Sequence, residues 1–182
     1  MAYSTITKPG LHFNTKLYTG TGSSLSVTGV GFQPDWVWIK ERNGATNHFA
    51  HDSVRGVTKS LFPNLTSAED TNAQYLTAFG ADGFTVGTNG GINTSSDTYV
   101  SWNWKAGTTS GITQGGASIT PTSYSLNATA GFSIIKYTGT GSNATVPHGL
   151  GATPEMVIVR NYSDAEQWVV YHNKLDTSGN GE

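Results

Sequence analysis

Two tryptophans, Trp36 and Trp38, are the side chains whose type and spacing most directly suggest ligand binding. Two residues apart in a strand, they share one face, and paired indoles could stack against the apolar faces of sugar rings. Core packing is the favoured interpretation, because Met156 and Ile158 occupy the equivalent places in a second copy of the segment. Three asparagines in two predicted loops, 42–46 and 88–96, complete the candidate ligand-binding set: Asn43, Asn89 and Asn93.

A second group, His48, His51 and Asp52, combines residue types that bind metal ions. In a strand over 47–51, however, the two histidines point to opposite faces, and no third ligand is evident beside either of them. His148, in a predicted turn, is expected to bond to nearby backbone. We therefore predict no metal site and no cofactor.

Glycoside hydrolysis would need two carboxyl groups about 5 to 9 Å apart in a cleft. The acids nearest to aromatic residues are Asp35, Glu41, Asp52 and Asp97, and their spacing selects no catalytic pair. Asp35 follows a proline at a turn and is replaced by Glu155 in the second copy, which indicates a structural role. No GxSxG elbow or phosphate-binding loop occurs. The sequence therefore predicts a protein without enzymatic activity.

The chain contains an internal repeat. The segment 18–40, YTGTGSSLSVTGVGFQPDWVWIK, returns at 137–160 as YTGTGSNATVPHGLGATPEMVIVR. Tyr18 corresponds to Tyr137, an offset of 119, and after one inserted residue Trp36 corresponds to Met156, an offset of 120. Identity is concentrated in glycine and proline, which set backbone conformation, so both segments are predicted to form the same structural unit.

Alternating apolar and polar residues predict a chain of short strands. These lie near 12–18, 25–30, 35–40, 47–51, 74–79, 84–87, 97–105 and 131–137. Segment 35–40 is apolar on both faces, so we expect a central strand covered on both sides. The predicted organisation is an N-terminal arm over 1–10, a first β unit over 11–107, a Gly/Ser/Thr-rich connection over 108–130 and a partial second unit over 131–182. Because the second copy stops early, we expect a fragment, or a unit that another chain completes.

Composition narrows the function classes. Only 12% of residues are charged and the net charge is −2, which is too neutral for the basic stripe of a nucleic-acid binder. The absence of cysteine excludes disulfides and thiolate metal sites. No apolar run reaches the length of a membrane span, and no signal-peptide pattern is present. The 23 glycines favour a turn-rich β protein.

Several long motifs together resemble a repeated β domain of tail-fibre and virion structural proteins of tailed bacteriophages, of the marine and cyanophage type. They are YTGTGS, GFQPDWVWIKER, HDSVRG, ADGFTVGTNGGINTSSDTYVSWNWKAG and VPHGLGATPEMVIVRN. The resemblance implies an all-β fold, an antiparallel, jelly-roll-like β-sandwich, and it implies no catalytic residues.

The function expected from this resemblance is that of a non-enzymatic virion component, a tail fibre, knob or capsid decoration, acting in assembly and host attachment. Its partners would be other virion proteins and copies of itself in a homo-oligomer, and a host-surface glycan is a further expected partner. Neither nucleic-acid binding nor membrane insertion is expected. One alternative is a carbohydrate- or receptor-binding module, and a remote one is a glycan-degrading enzyme of sandwich fold.

Overall fold

The structure is a computed structural model that describes residues 6–113 and 115–175. The chain is all-β, with several antiparallel sheets in a sandwich-like arrangement. A 3-10 helix (Pro9–Leu11) and one short α-helix, α1 (Gly90–Asn93), accompany the strands. The strands are β1 (Phe13–Thr19), β2 (Leu25–Thr28), β3 (Trp36–Glu41), β4 (Phe49–Asp52), β5 (Lys59–Ser60), β6 (Asp70–Thr71), β7 (Leu76–Gly80), β8 (Gly83–Val86), β9 (Thr98–Trp104), β10 (Ser123–Asn127), β11 (Phe132–Lys136), β12 (Met156–Val159) and β13 (Val169–His172).

The first part of the chain has two main sheets and a two-stranded sheet of β5 and β6. The larger has the order β1-β9-β3-β4 and the smaller β2-β8-β7, with every neighbouring pair antiparallel. β9, the last strand of this part in the sequence, lies between β1 and β3 and pairs with both. Strand alternation gives each sheet an inner face, and apolar residues of the two inner faces enclose one core.

The core contains side chains from both sheets, and α1 closes one end of it. Its buried members are Val27, Val37, Ile39, Phe49, Phe62, Tyr75, Leu76, Phe84, Val86, Ile92 and Tyr99. Burying one such aliphatic or aromatic side chain stabilises the fold by about 1.5–3 kcal/mol. The predicted strand alternation is confirmed for β3, where Val37 and Ile39 are fully buried.

The opposite face of β3 corrects one prediction. We expected cover on both sides, but Trp36 and Trp38 are only half-buried on the outer face of the larger sheet. β3 is central within its sheet, and a second layer covers only its inner face. A further correction concerns the predicted loop 88–96, which contains α1 because Asn89 caps the helix.

The later part of the chain forms two hairpins. β10 pairs with β11, and β12 pairs with β13. β10 lies inside the segment 108–130, which the sequence predicts to be a connection, and Thr108 forms a bridge to Leu126 of this strand. No helix among the described residues is long and apolar enough to cross a membrane.

Candidate functional site: an aromatic face on the larger sheet

The outer face of the larger sheet carries a group of aromatic side chains, which we call the aromatic face. Trp36 lies opposite Trp104, and Trp38 lies opposite Trp102. Phe13 of β1 lies opposite Trp104 on the other side of β9. Because neighbouring strands are about 4.8 Å apart and alternate residues about 6.8 Å apart, the four indoles form one contiguous patch.

The rings of the aromatic face pack against one another without being buried. Trp38 and Trp102 make an edge-to-face contact with centroids 6.1 Å apart, and Phe13 lies 4.8 Å from Trp104. All four indoles are half-buried, whereas Phe13 is exposed. Such ring pairs add about 0.5–1.5 kcal/mol beyond area burial. Two ring pairs therefore pack within the patch, and the patch keeps solvent-accessible ring surface.

One end of the aromatic face is partly covered by the later part of the chain. The ring of Phe132 on β11 stacks on Trp104, with centroids 6.2 Å apart and planes 22° apart. Trp36 lies directly opposite Trp104, whereas the Trp38–Trp102 pair lies two residues further along the strands. The part of the patch away from the Phe132 contact is therefore the Trp38–Trp102 pair.

A histidine orients one indole of the patch. Trp38 Nε1 donates to His48 Nδ1 at 3.0 Å, and the two rings meet edge to face. This nitrogen must be unprotonated to accept, so the imidazole is neutral. Partial burial, and then the nearby charge of Lys40, lower the pKa of His48. The Trp38 N–H is thus used inside the protein, and the ring face is what remains for a ligand.

Two of the three candidate asparagines organise loops. Asn43 donates to Asp97 Oδ1 at 3.0 Å and accepts from the Thr98 backbone N–H at 2.8 Å. Asn89 accepts from the Gly91 backbone N–H at 2.9 Å and caps α1. Both lie near the end of β9 that begins at Thr98, about four residues or roughly 13 Å along the strand from the tryptophans.

The third asparagine, Asn93, is fully buried. Its Oδ1 accepts from the Thr21 backbone N–H at 2.8 Å, and its Nδ2 donates to the carbonyls of Ser23 and Gly87, both at 2.6 Å. The amide joins α1 to the turn after β1. The side chain has no exposed surface for a ligand, so the structure does not bring the asparagines together with Trp36 and Trp38.

By residue type, Arg55, Lys59 and Asp52 could form an exposed ion-pair cluster, but the structure buries the Arg55–Asp52 pair. Arg55 Nε lies 2.5 Å from Asp52 Oδ2, and its Nη1 lies 3.0 Å from Glu69 Oε2. Arg55 also donates to the Ala50 carbonyl at 2.9 Å. Glu69, which the sequence analysis did not include, supplies the second carboxylate and also contacts Lys59 at 3.5 Å.

His51 is enclosed beside this cluster. Its Nδ1 lies 2.8 Å from the Lys59 carbonyl and so carries the proton, whereas its buried Nε2 has no hydrogen-bond partner. Burial lowers the pKa of His51 to about 4; the bond to Lys59 opposes this effect, and the Arg55 charge adds to it. Within residues 6–113 and 115–175, no three His, Asp or Glu side chains are grouped to hold a metal ion.

Asp35 has the structural position that the turn predicts. Its Oδ1 accepts from the hydroxyls of Ser53 at 2.7 Å and Ser125 at 3.0 Å, and its Oδ2 accepts from the Ala106 N–H at 2.8 Å. The carboxylate therefore joins the start of β3 to the end of β4 and to β10. The two acids at positions 35 and 52 are both buried in internal contacts.

Three members of the aromatic face were not among the ligand-binding candidates predicted from the sequence: Trp102, Trp104 and Phe13. Trp102 and Trp104 alternate with buried residues along β9 and share its outer face with Val100. The missing information was the pairing of β9 with β3, which lie about sixty residues apart in the sequence and meet in register. A signal was available in the two W-x-W segments at 36–38 and 102–104, since both can present two indoles from one strand.

The fold and the patch together define the class as an all-β, sandwich-like domain with an aromatic outer sheet face. A family model described as "Domain of unknown function (DUF7483)" matches residues 8–181, so the chain belongs to that family. The chain has no match among the curated proteins or among the solved structures.

Proposed function

We propose that the protein is a non-enzymatic adhesion module of a tailed-bacteriophage virion, in a tail fibre, knob or capsid decoration, and that its aromatic face contacts host-surface saccharide. The proposal joins the two binding expectations from the sequence into one. The adhesive surface is the sheet itself, with Trp36, Trp38 and Trp102 as the rings that a sugar meets.

One observation carries this proposal: four half-buried indoles lie side by side on the outer face of the four-stranded sheet. Exposed apolar patches on soluble domains mark interaction sites. Partly exposed indoles suit saccharides, whose rings have apolar faces, and the weak charge of the chain suits a neutral ligand. Repetition of such a weak site in an oligomer would supply avidity.

A non-catalytic role agrees with how the acids are used. Asp35 accepts three hydrogen bonds from the surrounding fold, and Asp52 is paired with Arg55. Asp97 accepts from Asn43. Three of the four carboxylates considered for hydrolysis thus make internal structural contacts rather than lining a cleft with the aromatic face.

The test is a glycan array probed with the full chain and with Trp38→Ala and Trp102→Ala variants. We expect both variants to lose binding by about tenfold or more, which corresponds to about 1.4 kcal/mol, because stacking contacts on aromatic rings reach that size. Trp168→Ala is the matched control, since this half-buried tryptophan lies off the face and donates to the Phe62 and Leu65 carbonyls. Equal losses in all three variants, or no glycan binding by the parent, would argue against the proposal.

A second candidate function, assembly with other virion proteins, rests on a different surface. The hairpin of β12 and β13 exposes apolar side chains along its whole length, among them Met156, Ile158, Val169 and Tyr171. Contiguous exposed apolar area of this kind favours burial against another polypeptide. In this proposal the aromatic face serves adhesion and the later hairpin serves assembly.

A further inference from the structure

The hairpin of β12 and β13 reproduces the hairpin of β3 and β4 in register. Trp36 lies opposite Asp52, and Met156 opposite His172, so both members are displaced by 120 residues. The preceding turns also agree. Gly22 and Gly141 have φ of 70° and 72°, and the hydroxyls of Thr21 and Thr140 make the same bonds to the residues two positions on.

β11 corresponds to β1 at an offset of 119. The later part of the chain therefore contains counterparts of β1, β3 and β4. In the earlier part, β9 lies between β1 and β3 and pairs with both. Among residues 6–113 and 115–175, no strand takes that place between β11 and β12.

The hydrogen-bond phase of β11 shows which of its edges is free. Leu126 of β10 exchanges both backbone bonds with Thr108, so Ser125 and Asn127 are the residues of β10 that bond to β11. Their partners are Ile134 and Phe132. Because backbone groups alternate sides along a strand, Ser133 and Ile135 point away from β10.

This free edge is the one that β1 uses for β9. The Lys105 N–H donates to the His12 carbonyl, so alternate residues from His12 onward, Asn14 and Lys16 included, face β9. At the offset of 119, Asn14 and Lys16 correspond to Ser133 and Ile135. β11 thus leaves unpaired the counterpart of an edge that is paired in β1.

The same holds for β12. The Asn173 N–H donates to the Glu155 carbonyl, so Val157 and Val159 bond to β13 while Met156 and Ile158 face the other side. In β3 the corresponding residues, Trp36 and Trp38, have their backbone groups directed at β9, in phase with the bond from the Arg42 N–H to the Thr98 carbonyl.

Side-chain burial also indicates that the later hairpin lacks a neighbouring strand. Val157 and Val159 are 38% and 37% exposed, whereas their counterparts Val37 and Ile39 are fully buried. A two-stranded hairpin with apolar residues on both faces is marginal by itself, and an open edge is a template for another strand.

We propose that the free edges of β11 and β12 bind one antiparallel strand of the β9 type, from polypeptide outside the described residues. The occupant is a seven-residue segment that alternates as β9 does, with Ser101 and Asn103 toward the core and Trp102 and Trp104 outward. The recognition is main-chain hydrogen bonding on both sides, with the alternate side chains setting the register.

The β9 of a second copy is not the occupant, since in its own chain that strand is already paired on both edges. It is in register with β1 from Phe13 to Thr19 and with β3 from Trp36 to Glu41. Releasing it would break the larger sheet. The partner is therefore a separate strand with the same pattern.

The experiment titrates the full chain with a synthetic peptide, DTYVSWNWK, the sequence of residues 97–105. Amide hydrogen exchange is followed by NMR at Ser133, Ile135, Met156 and Ile158. We expect saturable binding and about tenfold or greater slowing of exchange at these amides.

Three modified peptides make the test specific. N-methylation at the position of Ser101 removes the bond to β11, and N-methylation at the position of Trp102 removes the bond to β12, so each should abolish binding. N-methylation at the position of Asp97 is the matched control and should leave binding intact, because this N–H bonds within its own loop, to Thr94.

Three outcomes would overturn the proposal. They are no binding, protection confined to residues before 107, and protection of the four amides by self-association of the chain without peptide. Absence of binding would mean that the edges accept no such strand. Protection confined to residues before 107 would mean that the peptide exchanges into the larger sheet, and protection without peptide would mean that a second copy is the occupant.

Discussion

The buried His51 predicts a loss of stability on mild acidification. Its side chain is fully buried, its Nδ1–H is bonded to the Lys59 carbonyl, and its Nε2 has no partner that could accept a hydrogen bond if it took up a proton. Burial lowers its pKa to about 4, whereas an unfolded chain has about 6.5. Between these values the unfolded state binds more protons, so stability falls as the pH falls.

The size of the effect follows from the two pKa values. From pH 7 to pH 5 the linkage relation gives a loss of about 2 kcal/mol, and the full difference approaches about 3 kcal/mol below pH 4. His48 acts in the same direction, because its pKa is also lowered. Asp82, whose pKa is lowered by bonds from the N–H groups of Gly31 and Gly29, acts only at more acidic pH.

The assay is urea unfolding at pH 7 and pH 5 for the parent chain and for His51→Gln, which removes the titrating group. The parent should lose about 2 kcal/mol, and the variant less than half of that, whatever its stability at pH 7. As a second readout, the imidazole carbon signals of His51 should stay unchanged from pH 8 to pH 5. Equal losses in both proteins, or a His51 signal that titrates near pH 6.5, would refute the reasoning.

Three further predictions concern stability and are each measured by urea unfolding. Arg55→Met should lower the free energy of unfolding by about 3–5 kcal/mol, because it leaves the carboxylates of Asp52 and Glu69 buried without their partner. Arg55→Lys should recover little of this loss, since lysine lacks the fork geometry of the guanidinium. A loss below about 1 kcal/mol for Arg55→Met would contradict the burial of the cluster. Asp35→Asn should cost about 1–3 kcal/mol through mismatched bonds to Ala106, Ser53 and Ser125; a neutral result would mean that the carboxylate does not join these segments. Gly20→Ala should lower the free energy of unfolding by about 1–3 kcal/mol, because a Cβ would clash with the Thr94 carbonyl. The control is Gly139→Ala at the repeat counterpart, which should be tolerated because no atom lies within 4 Å of the added Cβ. Equal losses at both positions would contradict this difference in surroundings.

Local sequence patterns predicted the strands well, because the alternation of apolar and polar residues in a strand depends only on neighbouring residues. β9 illustrates this: DTYVSWNWK correctly predicts Tyr99, Ser101 and Asn103 on one side, and all three are buried. The return strand expected over 47–51 is observed as β4, shifted toward Asp52. Strand ends depend on which residues find backbone partners, and this is decided by the neighbouring strand.

The position of the layers could not be predicted from these patterns. The apolar outer face of β3 looks in sequence like a face to be covered, and only the arrangement of the two sheets leaves Trp36 and Trp38 half-exposed. Asn93 shows the reverse case. A polar residue in a glycine-rich loop is expected at the surface, but the amide is buried by backbone groups of a distant turn, at Thr21 and Ser23, and of nearby Gly87.

Long-range pairing accounts for the remaining differences. Arg55 finds Glu69 fourteen residues on, across a segment whose local signals are weak. By contrast, α1 could have been recognised, since Asn89 before a short apolar turn is an N-cap signal.

The most direct test of the central claim follows the indole N–H signals of all five tryptophans by NMR while oligosaccharides that bind on the array are added. If the aromatic face is the adhesive surface, the signals of Trp36, Trp38 and Trp102 shift in a saturable manner and that of Trp168 does not. A shift at Trp168 with none on the aromatic face would contradict the account.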